Sequence, residues 1–163
     1  MDPLRIERLG LVRLSAVGDV VHAMPLAMGL RRAFPEARIT WVVQDEARPL
    51  LQGHPAVDDV LVFPRRGWLG RMWSFVRELR ERRLEVLVDP QGNTKSGLVA
   101  RLSGAPVRSG LNRRDCKEGL NVLASNRRGP PSASPHGIDR AWAAAAALGV
   151  EPGPDEYGLE ATP

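Results

Sequence analysis

The apolar positions of this chain fall in short runs separated by longer amphipathic stretches. The runs lie at Leu9–Leu14, Arg38–Val43, Asp59–Phe63, Val86–Val88 and Val107–Gly110, and they hardly alternate. Non-alternating runs are what strands covered on both faces require. Between them the pattern predicts helices from about Asp19 to Phe34, briefly over Asp45–Gln52, and then over Gly67–Leu84, Lys95–Leu102 and His136–Leu148. Strands alternating with helices predict an α/β fold with a Rossmann-like, mostly parallel sheet and helices on both faces. Trp41 lies inside the second run and is expected in the core. In the long helix Leu69, Met72, Trp73, Val76, Leu79 and Arg80 recur at helical spacing and predict the buried stripe. Arg71, Arg77, Glu78, Glu81, Arg82 and Arg83 predict its solvated face. Pro25 is awkward in a helix interior. It predicts a first turn ending near His22, or a kink with the main helix starting at the proline.

Two of the strand ends run into glycine-containing turns that open helices. The first is Ser15-Ala16-Val17-Gly18-Asp19 and the second is Asp89-Pro90-Gln91-Gly92-Asn93-Thr94-Lys95-Ser96. In an open α/β sheet, ligands bind beside such strand carboxyl ends. Gly18 is expected to bring the backbone close to a ligand or to take a positive φ. Asp19 has two readings. Local pattern favours a helix N-cap; the alternative is a carboxylate acting as general base on a bound hydroxyl. Neither turn has the spacing of a dinucleotide or P-loop phosphate fingerprint. His22 reads as a structural histidine or as a substrate contact, since a neutral imidazole serves either purpose.

Composition narrows the partners. The chain has 163 residues, 43% hydrophobic and 26% charged, as a single soluble domain would. Residues 5–150 read as that domain, with an exposed loop over Asn126–Pro135, and 151–163 read as a Pro/Gly-rich linker. No apolar stretch follows Met1-Asp2-Pro3-Leu4-Arg5, and no run approaches the ~20 residues of a membrane span, so a cytoplasmic location is expected. One cysteine, Cys116, allows no internal disulfide and no metal cluster. The formal charge is +4, and Lys95 and Lys117 are the only lysines among many arginines. Such a surface suits an anionic partner: a phosphorylated glycolipid, an anionic membrane surface or nucleic acid. Nucleic acid is the weakest of the three, because no basic stripe is interleaved with aromatics.

Four stretches together resemble the N-terminal half of the lipopolysaccharide heptosyltransferases, glycosyltransferase family 9. They are Val12 through His22, Thr40-Trp41-Val42-Val43, Asp89-Pro90-Gln91-Gly92 with Lys95-Ser96, and Gly110-Leu111 through Lys117-Glu118. The helix near His136 also fits the family layout. The resemblance implies one half of a GT-B architecture of two Rossmann-like domains. This half would bind the acceptor, the phosphorylated inner core of lipid A, at the inner face of the cytoplasmic membrane as a peripheral protein. The other half would bind the donor, ADP-heptose. The implied reaction inverts the anomeric centre and uses no metal or cofactor. Asp19 takes the place of the family's general base. Ser15, Gly18, His22, Gln91, Gly92 and Lys95 are implied as acceptor contacts around it. The basic loop Pro64-Arg65-Arg66-Gly67 through Arg71 matches a phosphate-contacting segment, although Gly67-Trp68-Leu69-Gly70 makes that loop unusually apolar. Arg113, Arg114 and Lys117 match a loop that closes over acceptor.

Family members run to roughly twice this length, since two domains of ordinary size are needed. No second glycine-rich strand–turn–helix appears here to hold an ADP group. The donor domain is therefore expected to be supplied in cis or in trans. The alternative of a different class is a non-catalytic module that binds anionic glycolipid.

Overall fold

The computed structural model describes residues 5–65 and 67–159, apart from the side chains of Trp68 and Leu69. Six strands form one parallel sheet in the order β3-β2-β1-β4-β5-β6. They are β1 (Arg8–Val12), β2 (Arg38–Val43), β3 (Asp59–Val62), β4 (Val86–Asp89), β5 (Val107–Gly110) and β6 (Arg127–Arg128). The helices are α1 (Val17–Ala33), α2 (Trp68–Glu81), α3 (Thr94–Leu102) and α4 (Gly137–Ala146), with 3₁₀ turns at Asp45–Leu51 and Gly119–Leu123. The five expected strands are present, and Trp41 is fully buried with its indole N–H donating to the Arg13 carbonyl at 3.3 Å. The sixth strand lies where the sequence reads as loop. Its two residues are exposed, so it carries no apolar signal.

Each sheet face buries its own cluster. One holds α1, α4 and the first 3₁₀ turn, with Leu9, Leu11, Met24, Leu26, Leu30 and Trp142 among its buried residues. The other holds α2 and α3, with Val12, Val42, Phe75, Leu79, Leu87 and Val99. Gly29 lets α1 and α4 meet, because a Cβ there would come within 2.2 Å of Trp142 Cη2.

Four local expectations are corrected. The first helix neither ends near His22 nor begins at Pro25; it runs unbroken from Val17 with Pro25 inside and buried. Proline there forfeits one backbone bond, a cost set against burial of its ring. Asp19 is not the N-cap: Ala16 holds that position and Asp19 sits in the first turn. Trp73 is not in the buried stripe of α2. Its side chain is 82% exposed, and Phe75, set aside by the spacing argument, is buried with Leu79. The strands that α2 covers place its inward face between the two possible stripes. The first-turn Gly18 has no positive φ and nothing within 4 Å of a would-be Cβ, so no backbone strain selects glycine there. Residues 151–159 have no regular structure, yet Arg32 pairs with Glu156 at 2.5 Å and His54 Nε2 lies 2.8 Å from the Tyr157 carbonyl.

Candidate active site

The chain order reverses beside β1: strands 2 and 3 lie on one side, 4 to 6 on the other. Ligands of open α/β sheets bind in the crevice at such a switch point. Here it is framed by the loop after β1, the loop after β4 and the segment after β5. Gln91 joins the first two, its side-chain oxygen accepting the Leu14 N–H at 2.6 Å while its own side chain is buried. Gly92 takes φ +70° and turns inward, where a Cβ would come within 2.8 Å of Leu111 and 3.2 Å of the Cys116 backbone. These two implied acceptor contacts thus serve first to hold the loops in register.

Beneath them lies Asp89, fully buried at the end of β4. Its Oδ1 accepts the N–H groups of Gln91 and Gly92 at 2.9 and 3.3 Å; its Oδ2 accepts from Ser96 Oγ and Asn121 Nδ2, both at 2.8 Å. Burial pushes this carboxyl above its ordinary value despite those four donors. Asn121 also donates to the Asn93 carbonyl at 2.7 Å. Glu118 accepts from the backbone N–H of Thr94 at 3.0 Å and from its hydroxyl. The segment after β5 is thereby fastened to the start of α3. The sequence reading placed Asp89 and Ser96 in a motif without giving either a role, and it passed over Asn121. The signal available was Asn93-Thr94-Lys95-Ser96, a capping box in which Asn93 accepts the Ser96 N–H and Ser96 the Asn93 N–H.

That fastening delivers Lys117 to Asp19. Lys117 Nζ lies 3.5 Å from Asp19 Oδ2, and Arg13 Nη2 lies 2.8 Å from the same oxygen. Arg13 is buried and also donates to the Pro90 carbonyl at 3.2 Å. Its Nε is the one buried side-chain donor without a partner among the described residues. Burial pushes the guanidinium of Arg13 down, and Asp19 opposes it. Asp19 itself is one-third exposed. Its partial burial, the largest influence, pushes its carboxyl up. Arg13, Lys117 and the Ala16 N–H together outweigh this and hold it below the ordinary carboxylate range. The result is an ionised, partly open carboxylate at the mouth of a helix.

The remaining predicted residues separate into groups. Ser15, Arg65 and Lys95 line one cavity of about 390 Å³ with Gln44 and Glu46. A second, of about 550 Å³, is lined by Asp45, Glu46, Arg48, Pro64, Arg65 and Arg71. Arg65 and Glu46 pair with each other and line both. Arg48 is a cationic member the sequence reading missed, because its 3₁₀ turn has no helical periodicity. His22 stands 5.1 Å, ring to ring, from His136, which caps α4. Arg113 and Arg114 are exposed in the turn after β5, apart from the Asp19 cluster. Arg66 lies outside the described residues. Among the described residues no three His, Cys, Asp or Glu side chains gather as metal ligands.

A family model described as glycosyltransferase family 9 (heptosyltransferase) matches residues 72–161. The chain belongs to glycosyltransferase family 9. Lipopolysaccharide heptosyltransferase 1 of Pseudomonas aeruginosa is 30% identical over 142 residues, covering 82% of this chain and 40% of that protein. The lipopolysaccharide core heptosyltransferase OpsX of Haemophilus influenzae is 29% identical, covering 87% and 40%. The solved Escherichia coli heptosyltransferase WaaC with ADP superposes with a TM-score of 0.78 at 30% identity, over 90% of this chain and 48% of that one. This family 9 chain therefore spans less than half the length of these relatives. Its sheet has the fold of one part of a GT-B heptosyltransferase.

Proposed function

We propose that this chain is the acceptor-binding part of a heptosyltransferase, working on the phosphorylated inner core of lipopolysaccharide. The observation that carries the reading is Asp19, ionised by Arg13 and Lys117 at the switch-point crevice, beside cavities lined with cations. A sugar hydroxyl of the acceptor attacks the anomeric carbon of ADP-heptose. The bond from that carbon to the diphosphate oxygen breaks, ADP leaves, and the configuration inverts. Asp19 takes the hydroxyl proton on a carboxylate oxygen. Its depressed pKa makes it a weak base, so the transfer comes late, as the new bond forms; positioned bases of this kind supply about 10²–10⁴-fold.

Arg65, Arg48, Arg71 and Lys95 hold acceptor phosphates, with Arg113 and Arg114 closing from the rim and Ser15 and His22 at its edges. Gly18 leaves open space on the solvent side of the first turn. No metal ion or cofactor enters this scheme. ADP-heptose is held by a donor-binding domain supplied in cis or in trans. The work takes place at the inner face of the cytoplasmic membrane, on which the protein is peripheral. No helix among the described residues is long and apolar enough to cross a membrane.

The cation-lined cavities by themselves also suit a module that binds anionic glycolipid without catalysis. The separating experiment is label transfer from ADP-heptose to a phosphorylated inner-core acceptor by the chain completed with a donor-binding domain. Transfer that disappears in Asp19→Asn while acceptor binding persists supports the enzyme. Acceptor binding with no transfer in the parent supports the module.

A further inference from the structure

The exposed apolar side chains of this protein are concentrated on one layer. Of the six large hydrophobic residues exposed among the described residues, Trp73 lies on α2, Leu98 on α3, and Leu120 and Leu123 on the 3₁₀ turn that packs against α3. Trp73 is the extreme case, 82% exposed in mid-helix. Arg77 and Arg80 follow it at i+4 and i+7, on the same helix face. With Gly70, Ser74, Val76, Glu81 and Arg83 these residues line an open groove of about 760 Å³, in which three arginines outnumber one carboxylate. Arg80 Nε donates to the Leu102 carbonyl at 3.1 Å, tying α2 to α3, where exposed Arg101 stands one turn from Leu98. Glu78 and Glu81 are the acidic residues of α2, and Glu81 lies 3.8 Å from Arg77. The arginines exceed them.

A tryptophan followed by arginines on one helical face, with exposed leucines on the neighbouring elements of the same layer, is an arrangement suited to a lipid interface. The aromatic ring sits at headgroup level and the cations meet lipid phosphates. We infer that the outer face of the α2–α3 layer docks on an anionic membrane surface, with Trp73 at the headgroup level and Arg77, Arg80 and Arg101 against phosphates. The charge of the face selects this occupant over an apolar partner. The first turns of α2 and α3 follow the carboxyl ends of β3 and β4, whereas Arg80 and Arg101 stand in their last turns, so a membrane on this face runs along the layer and leaves the crevice at its edge. This deepens the proposed acceptor assignment, but the docking itself needs neither acceptor nor donor.

The test is co-sedimentation of the chain with vesicles of phosphatidylcholine containing one-fifth phosphatidylglycerol, and with pure phosphatidylcholine. Binding to the anionic vesicles that weakens as salt rises is expected. Each arginine near such a surface contributes about fivefold, so Arg77→Gln with Arg80→Gln should lower partitioning about 30-fold. Trp73→Ala should lower it too, with little change in the melting curve because the ring is 82% exposed. Arg31→Gln with Arg32→Gln removes equal charge from the last turn of α1, on the opposite layer, and should leave partitioning nearly intact. Equal losses in the two double variants, or no loss in either, would overturn the assignment. Self-association that depends on Trp73, with no vesicle binding, would give the face to a second copy and overturn it as well. Asp19→Asn should sediment like the parent, so failure of the catalytic reading leaves this result standing.

Discussion

Asp89 is the group on which the whole loop arrangement hangs, and Asp89→Asn tests that directly. The carboxylate takes two donors on each oxygen. An asparagine can keep its oxygen towards the Gln91 and Gly92 N–H groups. Its amide nitrogen then replaces Oδ2. The Ser96 hydroxyl can rotate to accept from it, but Asn121 Nδ2 cannot. Flipping the Asn121 amide would set its oxygen against the Asn93 carbonyl. One donor–donor contact is left in a site without solvent, at a cost of about 1–3 kcal/mol. Exchanging charge-assisted bonds for neutral ones costs about 1 kcal/mol more. Removing a buried charge returns part of this.

The net is about 2 kcal/mol. For a chain of this size that lowers Tm by roughly 4–8 °C. The assay is thermal melting followed by circular dichroism, with the Asn121→Ala background as a cycle. Asn121→Ala removes the opposing donor, so the penalty of Asp89→Asn should shrink there by about 1 kcal/mol or more. The pH dependence has a fixed sign. Folding raises this carboxyl, so its contribution is complete below the unfolded value of about 3.9 and is lost as pH rises through the folded value. The parent's advantage over Asp89→Asn should be largest in acid. An unchanged Tm, or an equal penalty in the Asn121→Ala background, would refute the network as drawn.

Asp19→Asn should lower heptose transfer by about 10²-fold or more in the completed enzyme, read by label transfer, with acceptor affinity largely kept. Because Asp19 is held low by Arg13 and Lys117, its share of stability is present above pH 4 and lost as pH falls through the folded value; melting at low pH should show less acid loss in Asp19→Asn. Arg65→Ala with Arg71→Ala should weaken binding of a phosphorylated acceptor, and parent binding should fall steeply with salt, both read by calorimetry. His54 accepts the Ala56 N–H on Nδ1, and burial holds it below its ordinary value, against a weaker opposing pull from the Tyr157 carbonyl. Stability should therefore drop as pH falls below about 6.5, where the unfolded histidine protonates first, and His54→Gln should flatten that drop in a melting series.

The fold was legible because its strands are buried on both faces, which writes apolar runs into the sequence in the order the sheet uses them. Asp19 was legible from its strand-end loop as one of two readings, which the resemblance then favoured, and Lys117 only as a member of a resembling set; the structure brings both to one ion cluster. What sequence spacing missed has identifiable causes. Trp73 and Phe75 differ by two positions on α2, and either can complete an apolar stripe; the sheet beneath decides between them. Arg13 sits at the end of an apolar run and reads as an interruption of it, although its buried guanidinium faces Asp19. Asp89 and Asn121 are 32 residues apart and meet only through the β4 and β5 crossovers. No local pattern announces a pair of that kind.

Arg13 and Lys117 act on Asp19 in different ways. Arg13 is buried, held by the Pro90 carbonyl, and cannot leave without stranding a charge. It fixes where the Asp19 carboxylate points. Lys117 is exposed, stands farther away, and comes from a segment that reaches Asp19 only because Glu118 and Asn121 are fastened to α3. A base needs a lone pair free for the incoming hydroxyl, and Arg13 and Lys117 both address Oδ2. Oδ1 is then the oxygen left to face the acceptor, apart from the Ala16 N–H that also meets this carboxylate. The buried arginine sets the orientation, and the lysine on its tethered segment sets how much positive charge the arriving hydroxyl meets. An arrangement with Asp19 as a plain N-cap would need neither cation.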